Sequence, residues 1–265
     1  MKRIFRAGML VCLLLAALAL PARAERTVPV SVDDAILRGA SYLEGGVTSV
    51  PLRALCDALG GWTVVWDAGA QCAVARGTST VTAAPGQFFV TVNGVRRACA
   101  AAVSLRDGRT YVPLRTVCEA LGLAVSWDAV LGGAAVRSGK SVSYSSEDLY
   151  WLSRIISAES QGESLQGQIA VGNVVLNRVA SPSFPDTIRD VVFDETDGVQ
   201  FTPVSLGTVY DEPTALSVKA AKAALAGTSE VGACLYFYAP ALSQGTWIQT
   251  HRTYYTTIGC HRFYL

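Results

Sequence analysis

The spacing of apolar residues divides this chain into two parts. In the first, one pattern occurs twice: Val50-Pro51-Leu52-Arg53-Ala54-Leu55-Cys56-Asp57-Ala58-Leu59-Gly60 returns as Val112-Pro113-Leu114-Arg115-Thr116-Val117-Cys118-Glu119-Ala120-Leu121-Gly122. Leu52, Leu55, Ala58 and Leu59 recur at helical spacing, which predicts a short helix with one buried face. Pro51 and Pro113 suit a first helical turn, where a missing N–H costs little. Gly60 and Gly122 suit helix C-caps. Each copy then runs into an alternating segment, Thr63-Val64-Val65-Trp66-Asp67 or Ala124-Val125-Ser126-Trp127-Asp128, and on into a further apolar stretch. The pattern predicts strand, short helix, strand, turn, strand, twice over. Units this small bury their apolar faces only against each other.

The second part has a longer period. Residues 138–146 are small and polar, and mark the domain boundary. Ser145 or Ser146 is a natural N-cap, with Glu147 and Asp148 in the first turn. Leu149, Leu152, Ile155, Ile156 and Ala158 then fall at helical spacing. A second helix fits Gly167 to Val179 and is apolar nearly all round, as a deeply buried helix is.

Composition adds the compartment. The chain has 265 residues, 51% hydrophobic and 16% charged, which suits folded material. Lys2, Arg3 and Arg6 precede an apolar run from Ala7 to Leu20, then Pro21 and Ala22-Arg23-Ala24. This is the layout of a signal peptide over residues 1–24, and it predicts an exported protein. The run is short for a membrane span, so contact with a membrane is expected only through an uncleaved signal segment. The formal net charge is +1, and residues 1–24 hold four basic residues and no acidic ones, so the remainder stands near −3. No basic field for nucleic acid is present. Six cysteines remain: Cys56, Cys72, Cys99, Cys118, Cys234 and Cys260. An even count permits disulfides in an exported protein, and free buried thiols are equally compatible with Cys56 and Cys118. No C-x-x-C pair or Cys/His cluster suggests a metal.

Glu159 is the chemically distinctive residue. It sits at the C-terminal end of one apolar helix, just before another. A helix C-terminus and apolar surroundings both disfavour a carboxylate anion and raise its pKa. Glycosidic cleavage needs such a protonated carboxyl to protonate the leaving oxygen. The ordinary role of a glutamate here would be a solvated helix end.

The flanking residues turn this into a resemblance. Ala158-Glu159-Ser160-Gln161-Gly162-Glu163, Gly167-Gln168-Ile169-Ala170-Val171, Val175-Leu176-Asn177-Arg178-Val179, Phe184-Pro185, Gln200-Phe201-Thr202-Pro203-Val204 and Ile258-Gly259-Cys260-His261-Arg262-Phe263-Tyr264 resemble the SleB/CwlJ-type cell wall hydrolases over residues 147–265. The resemblance implies an α+β fold with a lysozyme-like catalytic domain that cuts muramic acid–glucosamine linkages, often in the spore cortex. It implies Glu159 as the catalytic acid, and this acid chemistry requires no metal or organic cofactor. A lytic transglycosylase needs only one carboxylate; a water-using muramidase would want a second. Glu163, Gln168, Asn177, Arg178, Phe201, Trp247 and His261 are the candidate substrate-binding residues. Each also has a structural alternative: capping for Glu163, Asn177 and Arg178, a surface amide for Gln168, core packing for Phe201, Trp247 and His261. Cys260 stands where the family usually has Asn, and could alter a local hydrogen bond or bridge to Cys234.

Residues 27–139 resemble the copper amine oxidase N-terminal-like domain, a stalk module of exported bacterial proteins. The module implies neither copper nor amine oxidation, and no His lies in residues 1–150. The expected organisation is a signal peptide over 1–24, a small duplicated α/β domain over 25–140 and a catalytic domain over 141–265. The expected partners are peptidoglycan glycan strands and an envelope component met by the stalk, in the cell wall or spore envelope of a bacterium. The competing expectation is a non-catalytic envelope-binding protein with a decayed enzyme domain.

Overall fold

The computed structural model describes residues 25–140, 144–196, 198–243 and 246–265; the expected signal peptide and part of the expected linker lie outside them. Both copies of the repeat form the anticipated elements. In the first, strand Val47–Pro51 leads into α1 (Leu52–Leu59), then the hairpin Thr63–Asp67 and Cys72–Arg76. In the second, strand Arg109–Pro113 leads into α2 (Leu114–Ala120), then Ala124–Asp128 and Gly133–Arg137. Pro51 and Pro113 are N-caps, one position before the expected first turn. Gly60 is a C-cap, with a positive φ of 71°. Ala58, expected on the buried face of α1, is exposed, and Cys56 takes its place.

The copies meet where strand 47–51 pairs antiparallel with strand 109–113, Val50 opposite Val112. Both valines are fully buried, in one core with Leu52, Leu55, Leu114 and Val117. Removing a side chain of this kind from water contributes roughly 1.5–3 kcal/mol. Each Trp-Asp pair ends its strand at a turn. Asp67 Oδ1 accepts the N–H groups of Gly69 and Ala70, and Asp128 Oδ1 those of Val130 and Leu131. Cys56 and Cys118 are buried free thiols, each pushed up to about 12 by burial.

The C-terminal part packs three longer helices: α3 (Ser146–Ser160), α4 (Leu165–Val179) and, after the short α5 (Ile188–Val192) and α6 (Thr202–Leu206), α7 (Ala215–Leu225). Ser145 caps α3 reciprocally: its Oγ accepts the N–H of Asp148, whose carboxylate accepts the N–H of Ser145. α4 starts two residues earlier than its apolar pattern suggested, because Ser164 caps it by accepting the Gly167 N–H. Every α4 residue from Gly167 to Val175 is buried. Gly172 lets the helices approach closely, since a Cβ there would lie 2.8 Å from Ile156 Cδ1 and 3.4 Å from Ala224 Cβ. A helix α8 (Thr246–His251) and a three-stranded antiparallel sheet complete the domain, with strand His261–Tyr264 between Tyr236–Tyr238 and Tyr254–Ile258.

The two parts touch. Lys219 of α7 reaches Asp128 Oδ2 at 2.6 Å, and the Ile36 N–H donates to Thr228 Oγ1 at 2.9 Å. Among the described residues no helix is long and apolar enough to cross a membrane.

Candidate active site

The apolar stripe that buries α3 also positions Glu159. Leu152, Ile155 and Ile156 are fully buried, and Glu159 follows Ile155 by four residues and Ile156 by three, on the same helix face. Its carboxyl is thereby half-buried at the last turn of the helix. Burial pushes its pKa up to about 7, against the pull of the Arg178 guanidinium. Among the described residues, no hydrogen bond or ion pair reaches this carboxyl.

Arg178 is set by the same logic on α4, four residues after the buried Val174. It is 5% exposed, and its Nε donates to the Leu235 carbonyl at 2.8 Å and its Nη1 to Gln200 Oε1 at 3.3 Å. Its guanidinium lies over the rings of Phe184, Phe201 and Tyr236, at 4.9, 5.3 and 5.6 Å from the centroids. Burial lowers its pKa, while Tyr236, Asp194 and Glu159 act the other way. Arginine titrates so high that it stays charged.

From Tyr236 the aromatic surface continues outward. Its ring lies 6.2 Å from that of Trp247, and its hydroxyl accepts from Arg252 Nη2 at 2.8 Å. Arg252 also lies over both rings, at 4.4 and 4.9 Å. Trp247 is 52% exposed and stacks on His251. A half-buried, proton-holding carboxyl thus sits at one end of a run of arginine and aromatic contacts that ends on an exposed indole. Such a surface suits sugar rings, whose C–H faces pack on aromatics and whose polar groups meet guanidinium donors.

The other expected substrate contacts have structural positions. Gln168 is fully buried, with its amide nitrogen donating to the carbonyls of Gln161 and Glu163 and its oxygen accepting from Ser217 Oγ at 2.8 Å. It fixes the turn after α3 from inside the protein. Asn177 donates to the carbonyls of Gly232 and Cys234, and so anchors the loop before strand 236–238. Phe201 is 2% exposed and offers no face to a ligand. His261 is buried between Phe237 and Phe263, and burial lowers its pKa against the raising effect of Glu163. Glu163 faces the opposite hairpin, where its carboxylate accepts the Cys260 N–H at 3.2 Å and lies 3.9 Å from His261 Nδ1. Cys234 is buried and Cys260 exposed, both as free thiols. Tyr236 and Arg252 were not singled out from sequence. Tyr236 lies in an alternating aromatic stretch, Tyr236-Phe237-Tyr238, that fits an ordinary strand, and Arg252 carries no local motif.

Both parts of the chain match known proteins. A family model described as Cell Wall Hydrolase matches residues 162–264, beginning three residues after Glu159. One described as Copper amine oxidase N-terminal domain matches residues 32–131. The spore cortex-lytic enzyme of Bacillus cereus is 38% identical over 120 residues, which are 45% of this chain and 45% of that protein. That of Halalkalibacterium halodurans is 34% identical over 120 residues, 45% of this chain and 35% of that protein. This chain therefore spans less than half the length of these curated relatives. Among solved structures, the catalytic domain of the germination-specific lytic transglycosylase SleB from Bacillus anthracis is 37% identical, with 46% of this chain and 97% of that one covered and a TM-score of 0.43. Residues 162–264 thus belong to the cell wall hydrolase family, behind a copper amine oxidase N-terminal domain.

Proposed function

We propose that this protein is an exported enzyme that cleaves peptidoglycan glycan strands between N-acetylmuramic acid and N-acetylglucosamine, as a lytic transglycosylase. The observation that carries the reading is the carboxyl of Glu159, with a pKa of about 7. Near neutral pH such a group holds its proton part of the time and can take one back. Protonated Glu159 gives its proton to the bridging oxygen as the bond from muramic acid C1 to that oxygen breaks. The sugar left behind has oxocarbenium character. The Glu159 carboxylate then accepts the proton of that sugar's own C6 hydroxyl as O6 bonds to C1. A 1,6-anhydro ring closes, the acid is regenerated and no water is consumed.

A single carboxyl suffices for this sequence. Glu163, the neighbouring candidate for a second, is engaged with the Cys260 N–H, which favours the transglycosylase over the water-using reaction. Arg178 keeps a positive charge beside the carboxylate formed midway, and Trp247 with Tyr236 offers the sugar-binding wall. The spore cortex-lytic enzymes among the relatives support the cortex or cell wall as the place of action.

The test is mass spectrometry of the muropeptides released from purified peptidoglycan. Anhydromuramyl ends are expected from the parent chain and none from Glu159→Gln. Reducing muramic acid ends would make the enzyme a muramidase, and undiminished cleavage by Glu159→Gln would remove the assigned acid.

A further inference from the structure

The duplicated domain carries two quasi-equivalent grooves that differ in what closes them. Pro51, Trp66 and Ala73 line the first, with Gly108–Thr110 lent by the other copy, and residues 226–230 of the C-terminal domain complete its wall. The matching residues Pro113, Trp127 and Ala134 line the second, with Gly46–Thr48 lent by the first copy. Among the described residues, no segment of the C-terminal domain enters the wall of this second groove, whose volume is about 650 Å³. That is ample for a small ligand.

Their chemistry differs too. The first groove mixes its arginines with Asp57 and Glu230. Among the described residues the second is lined by Arg26 and Arg115 and by no carboxylate, with the hydroxyls of Thr48, Thr116 and Ser126 between them. Arg115 is held in place by Glu119 at 3.1 Å, which offsets part of its charge, and by the Val125 carbonyl at 3.3 Å. The Arg26 guanidinium stands 5.8 Å from the ring centroid of Trp127, an indole that is 49% exposed. An exposed indole packs on the C–H face of a pyranose, hydroxyls pair with sugar hydroxyl and amide groups, and guanidinium forks pair with carboxylates.

We propose that this second groove binds an anionic saccharide, a stretch of the glycan whose muramic acid residues carry no stem peptide, with a sugar ring on Trp127 and the freed lactyl carboxylates toward Arg26 and Arg115. This rests on the glycan reading of the C-terminal domain and extends it: one domain grips the polymer that the other cuts.

The test uses the full chain carrying Glu159→Gln, so that the ligand survives, and a soluble tetrasaccharide of alternating N-acetylglucosamine and N-acetylmuramic acid with free lactyl carboxylates. Indole N–H resonances read the two domains separately, that of Trp127 being identified by its loss in Trp127→Phe. The Trp127 resonance is expected to move saturably. Its midpoint should rise about tenfold in Arg26→Gln or Arg115→Gln and with a neutral N-acetylglucosamine tetramer, a difference of about 1.4 kcal/mol. A stationary Trp127 resonance, or equal midpoints for the neutral and anionic ligands, overturns the proposal. The Trp247 resonance and the muropeptide assay report on the C-terminal domain independently, so failure of either reading is recognised by itself.

Discussion

Arg178 draws the Glu159 carboxyl toward ionisation without bonding to it. Burial at the end of α3 lifts the Glu159 pKa to about 7, and the guanidinium works in the opposite sense. The guanidinium is itself committed to the Leu235 carbonyl and Gln200. A charge held at a fixed distance tunes a proton affinity without competing for the proton.

Replacing that charge should therefore move the pH profile. Cleavage by the parent chain should fall as pH rises past about 7, where Glu159 loses its proton. In Arg178→Gln the attraction is gone, the carboxyl holds its proton more tightly and the alkaline limb moves to higher pH. Initial rates on a soluble glycan fragment across pH 5–9 would show it; an unmoved limb would separate Arg178 from the titrating group.

The same proton has a thermodynamic signature. The folded pKa of Glu159 lies above the ordinary 4.5 of a glutamate, so the folded state keeps a proton that the unfolded chain releases. The stability this contributes is complete below 4.5 and is lost as pH rises through about 7. It is on the order of 2–3 kcal/mol. Glu159→Gln should thus melt several degrees above the parent at pH 8 and lose that advantage near pH 4. Parallel melting curves at the two pH values would contradict the burial of the carboxyl.

Gly259 is constrained twice over. Its φ is +56°, and a Cβ there would fall 1.7 Å from Glu163 Oε2. Gly259→Ala should cost about 2–4 kcal/mol, from the left-handed backbone and the displaced carboxylate together. Denaturant unfolding would measure it. Glu163→Ala in the same background should recover part of the loss, and equal stability of the single and double variants would show that the side chain is not the obstacle.

Trp247 is the most exposed member of the aromatic run. Trp247→Ala should raise KM about tenfold with little change in kcat, and Trp247→Phe should restore most of the affinity. Steady-state kinetics on glycan fragments separate the two constants; a fall in kcat alone would place the indole outside substrate binding.

What could be read from the chain was what repeats locally. The duplicated strand–helix–hairpin, α3 with its cap and the buried α4 all follow from periods within a dozen residues. The position of Glu159 follows as well, since it continues the stripe of Ile155 and Ile156. The roles of its neighbours depend on distant partners. Gln168 meets Ser217, 49 residues away, and Glu163 meets Cys260, 97 residues away. Both are polar side chains that pattern alone offers equally to a ligand or to the protein's own backbone. Arg252 acquires its place only when strand 236–238 brings Tyr236 beneath it.

The seam between Val50 and Val112 has a consequence for dissection of the molecule. Because each repeat lends its partner a central strand and half of one shared interior, neither is an autonomous unit. A truncation that stops between the copies would strip the inner strand of its neighbour and leave greasy side chains facing water. The duplicated domain is inherited whole or not at all, and a shortened version that keeps a single copy should clump rather than fold.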